Sequence, residues 1–411
     1  MNLLFLDAYF YPENIAFSHI EWDVMEGLMD AGHHITVVCP TPSRGISEEV
    51  FRAYRNQLEE TYRGVRICRF KAPREGRNPI LRAIRYFYCN LKGVSVAKRF
   101  RDTDAVFAVS TPPTQGYFAG KLSKKLGVPL IYSLQDLFPD SLVTTGLSTQ
   151  SSLLYRIGDR IAKKTYEKCA KIIVLSHFAR QALLSKGVPQ KKLLTVSNWI
   201  DTDTAYPVKR EDNRIFDEFS LDREKFYAVY AGNLGASQGT EVILRAARLC
   251  GDYGEIRFII FGGGSEYERI QGEIQNAGLQ NLRMYPLLPA DRIPEVYSMG
   301  DVALITCKKG VGKTAVPSKL YSIMACETPI VASFDTDSEL CDILKEAVAG
   351  VCVEPEDEKA LADAVIAAYE NRGGSTSDAC GREYVKNHAS KEKCVKEYVK
   401  CFEQTQKNRD Q

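Results

Sequence analysis

Five histidines among 411 residues leave little material for a histidine-rich metal site. The twelve cysteines, scattered from Cys39 to Cys401, include no CxxC pair and no histidine partner at zinc spacing. They read as small buried hydrophobes or free thiols in a reducing compartment. Charge of either sign is also missing in excess: the formal net charge is +2, without the strongly basic balance of a dedicated nucleic-acid binder, so no nucleic-acid partner is expected. No uncharged apolar run reaches the ~18 residues of a membrane-spanning helix. The opening MNLLFLDAYFYP meets Asp7 and Pro12 too early for a secretory signal, so a cytoplasmic location is expected. The dinucleotide fingerprint GxGxxG is absent, and GVGKT (310 to 314) lacks a P-loop's first glycine because Cys307 stands there.

What the chain does contain is alternation. NLLFLDAYF, HITVVCP, DAVFAVS, PLIYSLQD and KIIVLS read as strands, separated by helical patterns such as His19 to Ala31, Tyr117 to Leu126 and residues 153 to 169. After the polar stretch 209 to 225 the cycle restarts with FYAVYAG, IRFIIFGGG, NLRMYPLL, DVALIT, PIVAS and GVCV. The fold class is α/β. Two Rossmann-like domains are expected, 1 to 205 and 206 to 384, with a last helix at about 385 to 411 packing back on the first. Ligands of open parallel sheets lie at the carboxyl ends of strands, so two facing sheets would hold a ligand in a central cleft.

Motifs cluster at those strand ends. DVALIT runs through KKGVGKTAV into a helix opening Pro317, Ser318, Lys319. A lysine in a first turn faces the positive end of the helix dipole, which is unfavourable unless an anion is shared there, so a phosphate or diphosphate is expected. Lys308, Lys309 and Lys313 can add point charges. YAGNLGASQG carries Gly232, Gly235 and Gly239, which permit positive φ and close backbone approach. FGGGSEYERI offers Gly262 to Gly264, with Ser265 as the expected N-cap. In SLQDLFPDS, Asp140 reads as a cap and Asp136 as a strand-end carboxylate facing the cleft.

The order LQDLFPDS, VLSHFAR, VSNWID, YAGNLGASQG, FGGGSEYERI, YPLLPADRIPEVYSMGDV and VPSKLYSIMACETPIVAS resembles the family 4 glycosyltransferases. The branch it resembles most is that of the bacterial N-acetyl-fucosamine and colanic-acid transferases. The resemblance spans nearly the whole chain. It implies a GT-B fold, a nucleotide-sugar donor and retention of anomeric configuration; no metal and no other cofactor are expected. The implied reaction moves a sugar, UDP-linked and N-acetylated or deoxyamino in kind, onto a polyprenyl-diphosphate-linked saccharide in O-antigen or capsule assembly.

Position by position, the family's Arg and Lys of the first loop fall at Asn233 and Gln238, and its paired glutamates at Thr314 and Ser322. Lys319, with Lys313 behind it, is the expected substitute for those lost charges. The donor site is therefore placed at Gly232, Asn233, Gly235, Gln238, Gly263, Tyr285, Leu287, Lys313, Ser318 and Lys319. Asp136 and Lys319 are assigned catalysis, and Glu13, Asn14 and Ser18 the acceptor. Glu327 is given no role and Glu339 that of a cap.

From Lys71 to Arg101 nine basic residues and one acid, Glu75, are interleaved with Ile80, Leu81, Ile84, Tyr86, Phe87, Tyr88 and Leu91. A basic amphipathic helix of this kind suits an anionic membrane surface, through Arg82, Arg85 and Lys92, on the inner face of the plasma membrane. Two rival readings share the cleft: a UDP-sugar 2-epimerase, which needs several acid/base side chains, and a noncatalytic sugar-nucleotide-binding protein.

Overall fold

Apolar runs bounded by glycine, proline and aspartate become strands, as their composition demands. The computed structural model describes residues 1–13, 17–76, 78–144, 148–314, 316–372 and 380–410. They fall into two compact units, Met1–Ser197 with Cys394–Gln411, and Asn198–Lys393.

The first unit holds β1 (Asn2–Leu6), β2 (His34–Pro40), β3 (Glu59–Tyr62), β4 (Val65–Phe70), β5 (Ala105–Val109), β6 (Leu130–Leu134), β7 (Lys171–Val174) and β8 (Leu193–Thr195). Their order is β3-β4-β2-β1-β5-β6-β7-β8, parallel throughout except for the hairpin strand β3. Every residue of β5 and β6 is buried, as expected of parallel strands covered on both faces. The helix Lys391–Asp410 completes this unit: the Tyr398 hydroxyl lies 3.2 Å from Ser133 Oγ, and the Phe402 ring 5.7 Å from Phe107.

The second unit holds β9 (Phe226–Asn233), β10 (Ile256–Gly263), β11 (Leu282–Pro286), β12 (Val302–Thr306), β13 (Ile330–Ser333) and β14 (Gly350–Val353). All are parallel, in the order β11-β10-β9-β12-β13-β14. Alternation along β9 sends Tyr227, Val229 and Ala231 into one core and Phe226, Ala228 and Tyr230 into another, so apolar layers cover both faces. Strand order reverses between β9 and β12, the position at which doubly wound sheets bind ligands. Residues 198 to 205, which the sequence reading gives to the first domain, belong here. The Ile200 N–H donates to Ala389 O at 3.1 Å, and Ala205 is buried in the second core.

Two local expectations are corrected. Cys341 and Cys352 are joined by a disulfide and are not free thiols; the turn from the helix Glu339–Glu346 into β14 brings their Cα atoms to 5.8 Å. Ser265 is not a helix cap, because the helix Tyr267–Ala277 starts later and takes Glu266 at that position.

Beneath the end of β1, Asp7 and Glu21 form a buried, hydrogen-bonded carboxyl pair. Burial raises both, Asp7 to about 7. A folded value above the ordinary one gives stability that is full below the ordinary carboxyl range and lost as pH rises through about 7. Asp7→Asn is expected to flatten that loss in denaturant titrations between pH 5 and 8; an unchanged slope would place the pH dependence elsewhere.

Candidate active site

The carboxyl end of β9 is shaped by what its side chains leave empty. Tyr230 is fully buried and its hydroxyl donates to Asn233 O at 2.8 Å. Two residues on, and so on the same face of the strand, Gly232 adopts φ +143°. Into the space above it reaches Lys319, the first residue of the helix Lys319–Ala325. Its Nζ sits 3.8 Å from the Tyr230 ring centroid, and a Cβ on Gly232 would come within 2.9 Å of it.

Lys319 Nζ is shielded from solvent and has no hydrogen-bond partner among the described residues. Burial lowers its pKa to about 7. The ring face attracts the ammonium, but it offers no lone pair to its three N–H donors. A buried cation without an acceptor is destabilising on its own and is relieved by an anion placed beside it.

Glycines make room around this cation. Gly262 and Gly263 of β10 pair in register with Gly232 and Asn233. Side chains at Gly235 and Gly264 would collide with the Asn233 amide, at 2.9 and 2.4 Å, so those two glycines let Asn233 lie where it does. The loop after β9 is fastened to the end of β12: Lys308 N–H donates to Ser237 O at 3.0 Å, and Thr306 Oγ1 to Gln238 O at 2.7 Å. Leu287, half exposed, follows β11, donates its N–H to Gly262 O at 2.8 Å and faces Gly263. Tyr285 lies deeper, its ring 4.5 Å from Phe219 and 5.5 Å from Phe261, so it supports this wall from behind.

Two predicted features take other roles. Lys313 is exposed and pairs with Asp337 at 2.5 Å, a carboxylate that raises its pKa and already engages its charge. The P-loop look-alike is closed on itself: the N–H groups of Gly310 and Gly312 both donate to the buried Asp335 carboxylate at 2.8 Å. Ser318 makes no capping bond and stays exposed before the helix. Tyr230 and Asp335 were not singled out from sequence. The i, i+2 spacing of Tyr230 and Gly232 was the available signal for the first.

In the first unit, Asp136 stands at the carboxyl end of β6, its N–H 3.3 Å from Ser110 Oγ after β5. Its side chain is exposed at the surface, while protein packed behind it raises its pKa by desolvation. Asp140 opens the helix Asp140–Thr144, accepts from the Tyr155 hydroxyl at 2.7 Å and pairs with Lys186.

Glu13 is buried and its Oε1 accepts the N–H groups of Ser43 (2.7 Å) and Arg44 (2.6 Å), so it holds a loop and does not present itself at the surface. Burial raises its pKa. Ser18 is the first residue of the helix Ser18–Asp30. Asn14 lies outside the described residues.

On the helix Pro79–Ala97, Lys92 is exposed and Arg82 pairs with Glu75 at 3.2 Å. Arg85 is corrected: it is buried and donates to Pro73 O and Ser43 Oγ at 2.8 and 2.7 Å, so it cannot face a membrane.

An apolar cavity of about 490 Å³ lies elsewhere, at the amino ends of β12, β13 and β14 among Val302, Ile330 and Val351. Its lining includes one ionisable side chain, Glu327, and no cation. Among the described residues no group of three or more His, Cys, Asp or Glu side chains is gathered as for a metal ion.

Two parallel-sheet units of this topology are the architecture of a GT-B glycosyltransferase. Anabaena HepE, solved in complex with UDP, superposes with a TM-score of 0.73 at 14% identity, over 98% of this chain and all of that one. The Glycosyltransferase Family 4 description matches residues 22–204, and that of Glycosyl transferases group 1 matches 211–388. The chain belongs to the family 4 glycosyltransferases. It is 28% identical to a protein assigned as glycosyltransferase WbjE of Pseudomonas aeruginosa, over 71% of this chain and 73% of that one. To a protein assigned as the colanic acid biosynthesis glycosyl transferase WcaI of Escherichia coli K12 it is 25% identical, over 97% and 99% of the two chains.

Proposed function

We propose that this glycosyltransferase moves a sugar from a UDP-linked donor to a polyprenyl-diphosphate-linked saccharide in bacterial cell-surface polysaccharide assembly, with retention and without a metal. The observation that carries the reading is Lys319, a buried ammonium beside the glycine-lined end of β9 with no acceptor among the described residues. A diphosphate supplies the missing acceptors. As the bond from the sugar's C1 to the β-phosphate oxygen breaks, charge grows on that phosphate, and a fixed cation stabilises it more than it stabilises the intact donor. The acceptor oxygen attacks C1 from the same face, and its proton passes to the departing phosphate, so no enzymic nucleophile is needed. Asp136 orients the acceptor hydroxyl. The glycine-lined wall near Gly263 and Leu287 receives the base; HepE's complexes with UDP and UDP-glucose favour uracil for it.

The test is a screen of UDP- and GDP-sugars with lipid-linked acceptors in the presence of EDTA. The expected result is an acceptor-dependent product of retained configuration, read by NMR. Conversion of a UDP-sugar in the absence of acceptor, without transfer, would instead establish the epimerase.

We further propose peripheral attachment to an anionic membrane through the helix Pro79–Ala97. Ile80, Leu81 and Ile84 are 71%, 61% and 61% exposed on it. Among the described residues no helix is long and apolar enough to cross a membrane. Replacing Arg82 and Lys92 by Gln is expected to weaken binding to phosphatidylserine vesicles roughly tenfold or more, at ~1 kcal/mol per basic residue. Unchanged sedimentation with vesicles would reduce the helix to packing surface.

A further inference from the structure

The first unit carries a second gathering of cations, away from the strand end that holds Asp136. A cavity of about 580 Å³ opens at the amino ends of β6, β7 and β8, where Pro129, Ala170 and Lys192 directly precede those strands and Thr405 of the last helix joins the wall. That volume falls within the roughly 300 to 1,000 Å³ of small-ligand sites. Asp136 follows the other end of β6, and a strand of five residues rising ~3.3 Å each keeps the two ends roughly 16 Å apart.

Four lysines line the cavity, Lys124, Lys171, Lys191 and Lys192, and its lining includes no carboxylate side chain. Nearby lysines do find acids, Lys163 with Asp159 at 2.9 Å and Lys186 with Asp140, but none of these four has an ion pair among the described residues. Like charges around one concave surface repel one another and focus a positive potential inside it, which favours an anion there.

The helix dipole accounts for two of the four. Lys124 stands in the last turn of the helix Gln115–Leu126, and Lys192 Nζ donates to Tyr166 O at 3.1 Å and Glu167 O at 2.8 Å, at the end of the helix Leu153–Lys168. It does not account for Lys171 and Lys191 in the same cavity. Lys171 Nζ donates to Lys191 O at 2.9 Å, so backbone oxygens hold the heads of Lys171 and Lys192 in place. An ammonium has three N–H donors, which leaves Lys171 two and Lys192 one for a ligand, while Lys124 and Lys191 are exposed.

The basic surface continues outward from Lys124. Burial lowers the pKa of Lys168 against the pull of Tyr117, and the neighbouring Lys121, Lys124 and Lys164 lower it further. Compact ammoniums act as point charges, so several of them suit a ligand whose charge is spread over more than one phosphate.

We infer that this cavity is a second phosphate site, for a ligand with two or more phosphate groups. It belongs to the first unit, whereas Lys319 belongs to the second, and it does not rest on the proposed reaction. A free oligophosphate and the head groups of an anionic bilayer share this chemistry.

The experiment uses the full chain carrying Lys319→Met, Arg82→Gln and Lys92→Gln, so that neither the donor site nor the helix Pro79–Ala97 carries the signal. Tripolyphosphate is titrated by calorimetry, and sedimentation with phosphatidylglycerol vesicles is compared with sedimentation with phosphatidylcholine vesicles. Adding Lys124→Gln and Lys191→Gln is expected to weaken binding about a hundredfold, roughly tenfold for each lost charge-assisted contact. Lys124→Arg with Lys191→Arg, which keep the charge, is expected to recover most of it. Lysine-dependent binding of tripolyphosphate identifies a free oligophosphate as the ligand. Lysine-dependent binding of phosphatidylglycerol vesicles without tripolyphosphate binding identifies a lipid surface. Unchanged binding of both in a folded double variant, or binding of neither by the parent, overturns the inference. Lys191→Gln alone, at an exposed side chain, repeats the test with a loss of about tenfold, so a double variant that fails to fold does not leave the question open.

Discussion

Lys319→Ala is expected to lower sugar transfer roughly one hundred-fold or more, the usual loss when a fixed donor to developing charge is removed. Among the described residues its ammonium has no acceptor of its own, and in the proposed mechanism the donor's diphosphate supplies one. Uniform weakening of donor binding would appear in KM alone. A contribution that grows as the phosphate departs appears in kcat. The fold should survive, because the folded protein holds this lysine below its ordinary pKa, at about 7. Such a group contributes stability present above the ordinary lysine value and lost as pH falls through about 7. Lys319→Met, which keeps the buried volume, is therefore expected to melt higher than wild type at pH 6. Wild-type turnover in a folded variant would remove Lys319 from the mechanism.

Asp136→Asn is expected to separate two measurements that Lys319→Ala affects together. Asp136 sits at a strand end of the first unit, whereas the orphan cation and its glycine wall belong to the second. If the carboxylate orients the acceptor hydroxyl, the amide keeps its size and loses its charge. Single-turnover transfer should then fall on the order of ten- to one hundred-fold, the range of a lost charged hydrogen bond, while UDP affinity stays within about twofold of wild type. Parallel loss of UDP binding, or unfolding, would make Asp136 a donor ligand or a structural residue.

Sequence carried the architecture because parallel strands buried on both faces must be apolar throughout, as DAVFAVS and DVALIT are. It also carried the glycine clusters and Lys319, since a strand end followed by glycine and a misplaced cation is a local pattern. It could not carry the partners. Nothing in a helical stripe separates Arg85, drawn inward by Ser43 and Pro73, from Lys92, left in solvent. Lys313 looked available because Asp337 lies 24 residues on. Glu13 looked like a surface acceptor ligand, yet it closes onto backbone thirty residues away. The Cys341–Cys352 bridge depends on a helix-to-strand turn that cysteine spacing alone does not reveal.

The central claim is that Lys319 is the counter-charge for the donor's diphosphate, and proton uptake on UDP binding tests it most directly. At pH 8 free UDP has lost its phosphate protons, and a lysine of pKa about 7 is mostly neutral in the free protein. A bound diphosphate favours the ammonium, so binding must draw a proton from solution. Calorimetry in buffers of different ionisation enthalpy is expected to show uptake of roughly one proton per UDP at pH 8, absent in Lys319→Met. UDP binding with no proton uptake at pH 8, or with the same uptake in Lys319→Met, would contradict the account.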